Sequence, residues 1–247
     1  MTTAGQNHDG KSYALRMPQL SGIPGMTTYI HHRISCAPRR WQAVADRLAQ
    51  PVTAAGGSVY GLWRSQIGRP RDEVTAITLW PRAVAPEEAE AALADAEILA
   101  MSSRAMTPTI RPTGTDAPTR QGNYAFRWFI TPEAHWPEFL DLCAAAWPGF
   151  EAAYDSQVIG LWRCADMETG DTALGLVPTV PPGSIVSLLL TRRPDLAMWE
   201  RSKLPQGAAE TAVRDALSRR YDLCDWTAVC TTTLLTATDS ADRARWA

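Results

Sequence analysis

Several common signatures are missing from this 247-residue chain, and each absence removes a class of function. No run of 18 uninterrupted apolar residues occurs, so no membrane span is expected. Basic residues do not exceed acidic ones (24 against 26, net charge −2), which argues against a nucleic-acid partner, since phosphate neutralisation needs a cationic surplus. Only four histidines are present, without an HxxxH or HExxH spacing or a carboxylate cluster beside them, so no metal site is expected. The five cysteines (Cys36, Cys143, Cys164, Cys224 and Cys230) are odd in number and match no zinc spacing. They read as buried reduced thiols, which points to a cytoplasmic setting. GxGxxG, Walker, GxSxG and Cys-His arrangements are all missing, so neither nucleotide binding nor nucleophilic hydrolysis has support, and no cofactor is expected. The first 25 residues lack an apolar leader core and read as a flexible arm.

What is present is a repeat. Val59-Tyr60-Gly61-Leu62-Trp63-Arg64 returns 99 positions later as Val158-Ile159-Gly160-Leu161-Trp162-Arg163, with five of six residues identical. A shared Gly-Leu-Trp-Arg of this kind marks an internal duplication. Upstream, Arg33 precedes Pro38 by five residues, as Arg127 precedes Pro132. This spacing suggests that Arg33 and Arg127 are equivalent, as Arg64 and Arg163 are. Apolar content of 45% and charged content of 20% are ordinary for a globular chain.

The periodicities place the same order of elements in each half. Residues 27–34 are β-branched and aromatic and read as a strand. Pro38 opens a helix whose stripe Trp41, Val44, Ala45 and Leu48 follows helical spacing, and Gly56-Gly57 stops it. Residues 58–67 and 73–80 are strands separated by turn residues, an Ala-rich helix starts at Pro86, and residues 107–112 suggest a short fourth strand. After a polar link, the second half runs strand 124–130, a helix from Thr131-Pro132, strand 157–164, a loop over 166–183, strand 184–192, helices 196–203 and 208–221, and strand 226–235. The expected boundaries are 26–115 and 123–237, with a polar tail over 238–247.

This β-α-β-β-α-β order is that of the ferredoxin-like fold, an α+β class. One unit covers only one face of its sheet with helices. Two copies bury the other face against each other, which gives an intramolecular dimeric α/β barrel. The strands suit this arrangement, because many are apolar on both faces.

The stretch from Gly57 to Trp80, GSVYGLWRSQIGRPRDEVTAITLW, resembles the NIPSNAP family. Each half also opens with that family's pattern of an apolar strand, an Arg and a Pro, and Leu196-Ala-Met-Trp-Glu-Arg-Ser202 is similar to the short helix after its third strand. The resemblance covers roughly residues 26–112 and 123–236 and is shared in part with antibiotic-biosynthesis-type monooxygenases. The chain departs from the pattern in its Pro-rich second-half insertion. The resemblance implies the tandem barrel fold but no catalytic residues, since the family has none that are settled.

Candidate site residues follow from residue type and place. His31 and His32 are neighbours on a strand and point to opposite faces, so only one of them can face a cavity as a general base. Alternation along the strands groups one of these histidines with Arg33, Tyr60 and Arg64 in a possible polar cluster. Arg33, Arg64 and Arg127 either pair with carboxylates across the halves or hold an anionic group. Ten tryptophans, with Trp63 and Trp162 among them, either pack the core or line a pocket for a flat ligand. Two functions remain open. One is binding of a small hydrophobic or aromatic molecule, with cofactor-independent oxygenase or isomerase chemistry by analogy of fold. The other is a scaffold or interaction protein with a filled barrel. Either a monomer or a homo-oligomer through sheet edges fits these expectations.

Overall fold

A computed structural model describes residues 27–165 and 180–239. The first half contains β1 (Thr28–Cys36), α1 (Trp41–Arg47), α2 (Ala49–Ala54), β2 (Ser58–Ile67), β3 (Glu73–Trp80), α3 (Pro86–Ala92) and β4 (Ile98–Pro108). The second contains β5 (Asn123–Pro132), α4 (Trp136–Tyr154), β6 (Gln157–Cys164), β7 (Ser184–Arg193), α5 (Leu196–Arg201), α6 (Ala208–Asp222) and β8 (Trp226–Leu234). Every pairing is antiparallel, and the strands close into a barrel in the order β1-β3-β2-β8-β5-β7-β6-β4. Each half is therefore a ferredoxin-like sheet. The β2–β8 and β4–β6 seams join the halves and leave the ring without a free edge.

Several elements differ from the sequence reading for local reasons. The first helix starts at Trp41 rather than Pro38, because Arg39 turns the chain with φ of 66°. It also breaks at Leu48, where Pro51 can neither donate to the carbonyl four residues back nor fit beside it. Thr131-Pro132 does not cap α4. β5 runs through Pro132, and a 3-10 turn over Glu133–His135 leads into the helix. The fourth strand is not the short segment 107–112 but the eleven residues of β4, and only its end meets β6. Thr238 and Asp239, placed in the tail by sequence, bond the link between the halves: Thr238 N–H donates to Thr119 O, and Gln121 N–H to Asp239 Oδ1. The expected 1–25 arm lies outside the described residues, as do most of the 166–183 loop and of the tail.

The repeated Gly-Leu-Trp-Arg has a structural cause. β2 pairs with β3 through a bulge between Val59 and Gly61, and β6 pairs with β7 through one between Val158 and Gly160. In each half the Trp two residues on folds back over the Gly. A Cβ on Gly61 would lie 2.3 Å from the Trp63 ring, and one on Gly160 2.3 Å from that of Trp162. Only glycine leaves room for the indole there.

Three apolar clusters result. The barrel interior is packed with Tyr29, Tyr60, Trp63, Tyr124, Phe126, Trp128 and Trp162 together with aliphatic residues. Ring centroids there stand 5.1 Å apart for Trp63–Phe126, 5.3 Å for Tyr29–Tyr60 and 5.7 Å for Tyr29–Trp162, mostly in edge contacts. The other two clusters lie between each half's sheet and its helices. Among the described residues no helix is long and apolar enough to cross a membrane. All five cysteines are free thiols, four of them buried.

Candidate functional site

The structure separates the residues that the sequence grouped together. Tyr29, His31 and Arg33 point into the barrel from β1, while Ile30 and Ile34 point to the helices. His31 meets the rings of Trp128 and Phe126 at 5.1 and 5.8 Å. His32 lies on the helix side, fully buried. The bulge in β2 shifts the alternation, so Tyr60 faces inward and Arg64 outward, where it stacks 4.1 Å from the Trp41 ring. The expected cluster of histidine, Arg33, Tyr60 and Arg64 therefore does not form. Arg33 pairs with Glu73 of its own half at 2.6 Å. Trp63 and Trp162 fill the barrel and line no open pocket among the described cavities. Arg163, the counterpart of Arg64, is exposed.

The strand registers correct one equivalence. Trp63 faces Thr75, which faces Arg33, and Trp162 faces Leu188, which faces Trp128. Arg33 thus matches Trp128, and Arg127 matches His32. The same ladders match Thr78 with Thr191 and Trp80 with Arg193. Three outward positions in each half can therefore be compared directly.

In the first half these positions form a closed neutral network. Trp80 Nε1 donates to Thr78 Oγ1 at 2.9 Å, Thr78 Oγ1 meets His32 Nε2 at 2.8 Å, and His32 Nδ1 meets Ser103 Oγ at 2.6 Å. Burial pushes the His32 pKa down to about 3, so its ring is neutral. Trp80 packs on Gly57, where a Cβ would approach its ring to 2.9 Å.

In the second half the same positions hold Arg127, Thr191 and Arg193, and Ser156 stands where the register places Gly57. These residues wall a cleft between the sheet and α4, α5 and α6 with about 390 Å³ of empty volume, part of it open solvent. Its other walls include Trp147 and Phe150 from α4, Trp199 from α5, and Leu217, Arg220 and Tyr221 from α6. Three guanidiniums share this space. Arg193 stacks 4.3 Å from Trp199 and 4.9 Å from Phe150. Arg127 lies 5.4 Å from Tyr221 and 5.8 Å from Trp199. Arg220, 3% exposed, stands 5.0 Å from both Phe129 and Tyr221.

Among the described residues none of the three arginines makes an ion pair. Nearby carboxylates are engaged elsewhere. Glu210 takes both terminal nitrogens of Arg201 and the Gln206 N–H, Glu151 takes Arg111, and Asp195 caps α5 by accepting from Met198 N–H. Nε of Arg193 and Nε of Arg220 are buried without a hydrogen-bond partner, and Arg193 Nη1 reaches only Thr191 Oγ1 at 3.3 Å. Burial, followed by the charge of Arg127, pushes the Arg193 pKa down to about 10. Removing a cation from water costs several kcal/mol per ion, whereas a desolvated ring contact returns about 2 kcal/mol. Arg220 Nη1 also donates to Cys143 Sγ at 3.7 Å, but ring stacking leaves the charge of Arg193 under-compensated.

Chemically, the cleft offers aromatic walls and a set of guanidiniums that can stabilise negative charge. No histidine or carboxylate lines it, so among the described residues it offers no ordinary general base. His31 is the interior candidate for that role. Its pKa lies well below the usual value, first because of burial and then because of the nearby charges, Arg69 foremost. Among the described residues no cluster of potential metal ligands occurs. Sequence reasoning found Arg127 but missed Arg193, Arg220, Trp199 and Tyr221.

No family model matches this chain, and no curated protein matches it. Solved structures do. An anthrone oxidase-like protein aligns over 85% of this chain and 91% of its own, at 13% identity and a TM-score of 0.52. A mutant chlorite dismutase from Candidatus Nitrospira defluvii aligns over 84% and 91% (9% identity, TM-score 0.48). A ferredoxin-fold protein related to antibiotic biosynthesis monooxygenases, from Listeria monocytogenes, aligns over 84% and 94% (8% identity, TM-score 0.41). At these identities the likeness concerns the fold, which is that of the dimeric α/β barrel.

Proposed function

We propose that this protein binds a small, flat, hydrophobic or aromatic molecule in the cleft between the second-half sheet and α4–α6. We read it as a NIPSNAP-like member of the dimeric α/β barrels, with cofactor-independent oxygenase or isomerase chemistry as its reaction class. One observation carries the reading: at positions where the first half closes a neutral hydrogen-bonded network, the second half opens an aromatic-walled cleft. Trp147, Trp199 and Tyr221 supply ring faces, and the guanidiniums would steady negative charge on the bound molecule. The packed barrel interior supports the scaffold reading for the barrel itself, which would then hold the cleft in place.

Calorimetric titration with paired one-, two- and three-ring aromatic carboxylates and their neutral amides tests this reading. At least one pair is expected to bind, and Trp199→Ala is expected to weaken that binding at least tenfold. Absence of binding across the panel, or binding indifferent to Trp199, contradicts the reading. The absorbance spectrum of the purified protein tests the cofactor-free part. No visible band is expected, and a haem or flavin band would overturn it.

A further inference from the structure

We infer that the molecule held in this cleft is an aromatic anion, a ring system bearing a carboxylate or comparable oxyanion, whose charged group sits among Arg127, Arg193 and Arg220. The inference rests on the cleft being the binding site and adds the ligand's charge.

The argument starts from what a buried guanidinium needs. It carries five N–H donors and a charge that does not leave at physiological pH. Arg33, in the barrel, meets that need with Glu73, and Arg111 and Arg201 meet it with Glu151 and Glu210. Arg127, Arg193 and Arg220 are different. They converge on one small space and face rings rather than carboxylates, and Nε of both Arg193 and Arg220 stays unpartnered. Three cations around one cavity repel one another, and the pKa of Arg193, drawn down to about 10, records both burial and that repulsion. An arriving oxyanion would accept from the unpartnered donors and relieve the repulsion together.

The walls define the rest of the ligand. Trp147, Phe150, Trp199 and Tyr221 wall the same space, so a ring attached to the anionic group would meet aromatic walls there. A phosphate or sulfate alone would satisfy the arginines but make no use of the aromatic walls.

The register comparison gives independent support. A duplicated scaffold can fill these positions with a neutral network, as His32, Thr78 and Trp80 show. Arginine at two of the three matching positions is therefore not a requirement of the fold.

The test compares the two members of each carboxylate–amide pair on the intact protein. The carboxylate is expected to bind at least tenfold tighter than its amide. Arg193→Gln should erase that preference, bringing the carboxylate's affinity down to that of its amide, and Arg193→Lys should keep part of the preference. Arg127→Gln, at the position the first half fills with neutral His32, serves as a second variant if Arg193→Gln does not fold. Equal affinity for carboxylate and amide overturns the inference but leaves the cleft as the site. A preference that survives both Gln variants also overturns it. Failure of every pair to bind overturns the cleft reading, and this inference with it.

Discussion

The two sheet–helix layers of this protein share one backbone plan and differ in what they enclose. Both halves have the same strand order, the same bulge, and the same Trp folded over a Gly two residues earlier. In the first half, α1 and α2 press on a sheet face where His32, Thr78 and Trp80 satisfy one another. In the second, an unbroken 19-residue α4 and the α5–α6 pair leave a gap over Arg127, Thr191 and Arg193. The lesson concerns division of labour. At the matched positions one copy keeps a neutral hydrogen-bonded network that contributes stability, and the other carries buried charge that costs stability and suits a ligand.

The largest effects are expected where the halves agree. Gly61→Ala and Gly160→Ala each push a Cβ into a buried indole at 2.3 Å, and each should cost about 3 kcal/mol. Chemical denaturation checks both, and a mild effect in either half would mean that its bulge is not held by the Trp. His32→Ala should cost about 2–3 kcal/mol, because Thr78 and Ser103 lose their partner and a gap is left.

The same residue predicts a pH dependence. Its folded pKa, about 3, lies below the unfolded value of about 6.5, so the unfolded chain takes up a proton first as pH falls. The stability this residue contributes is fully present above about pH 6.5 and is lost progressively toward pH 3. Between pH 7 and pH 5 the loss from this one histidine is about 2 kcal/mol. His32→Gln should therefore show a pH dependence shallower than the wild type by that amount, and an unchanged slope would contradict the buried neutral imidazole. The smallest effect carries the most informative sign. Arg127→Gln, at the position matching His32, should leave the unliganded protein as stable as before or raise stability by about 1 kcal/mol. A loss comparable to that of His32→Ala would mean that Arg127 holds the fold together instead of waiting for a ligand.

Much of this architecture was legible in the sequence. The ends of β2, β3 and β6 fall where residue patterning placed them, because turn residues bound each strand and the Gly-Leu-Trp-Arg repeat anchors both halves. Site geometry was less legible, for two reasons. Alternation assumes an unbroken ladder, and the bulge at Tyr60 reverses which residues face the barrel, separating Tyr60 from Arg64. The glycine two residues before each Trp was the available signal of that bulge. Matching Arg33 to Arg127 by residue type also put the alignment one residue out, which sends a strand's side chains to the opposite face. Arg193 ends an apolar strand and Arg220 ends a helix, places where arginine is usually solvated. Only the convergence of β5, β7, α5 and α6 shows that both turn inward.

A ligand is expected to enter the second-half cleft and neither the barrel nor the first half. The indole N–H resonances of the ten tryptophans, assigned by single Trp→Phe variants, test it most directly during titration with the tightest-binding aromatic carboxylate. The predicted result is large shifts for Trp147 and Trp199, which line the cleft, with Trp41 and Trp80 of the first half and Trp63, Trp128 and Trp162 of the barrel unmoved. Saturable shifts at Trp63, Trp128 or Trp162 with Trp199 silent would contradict the claim and place the ligand inside the barrel.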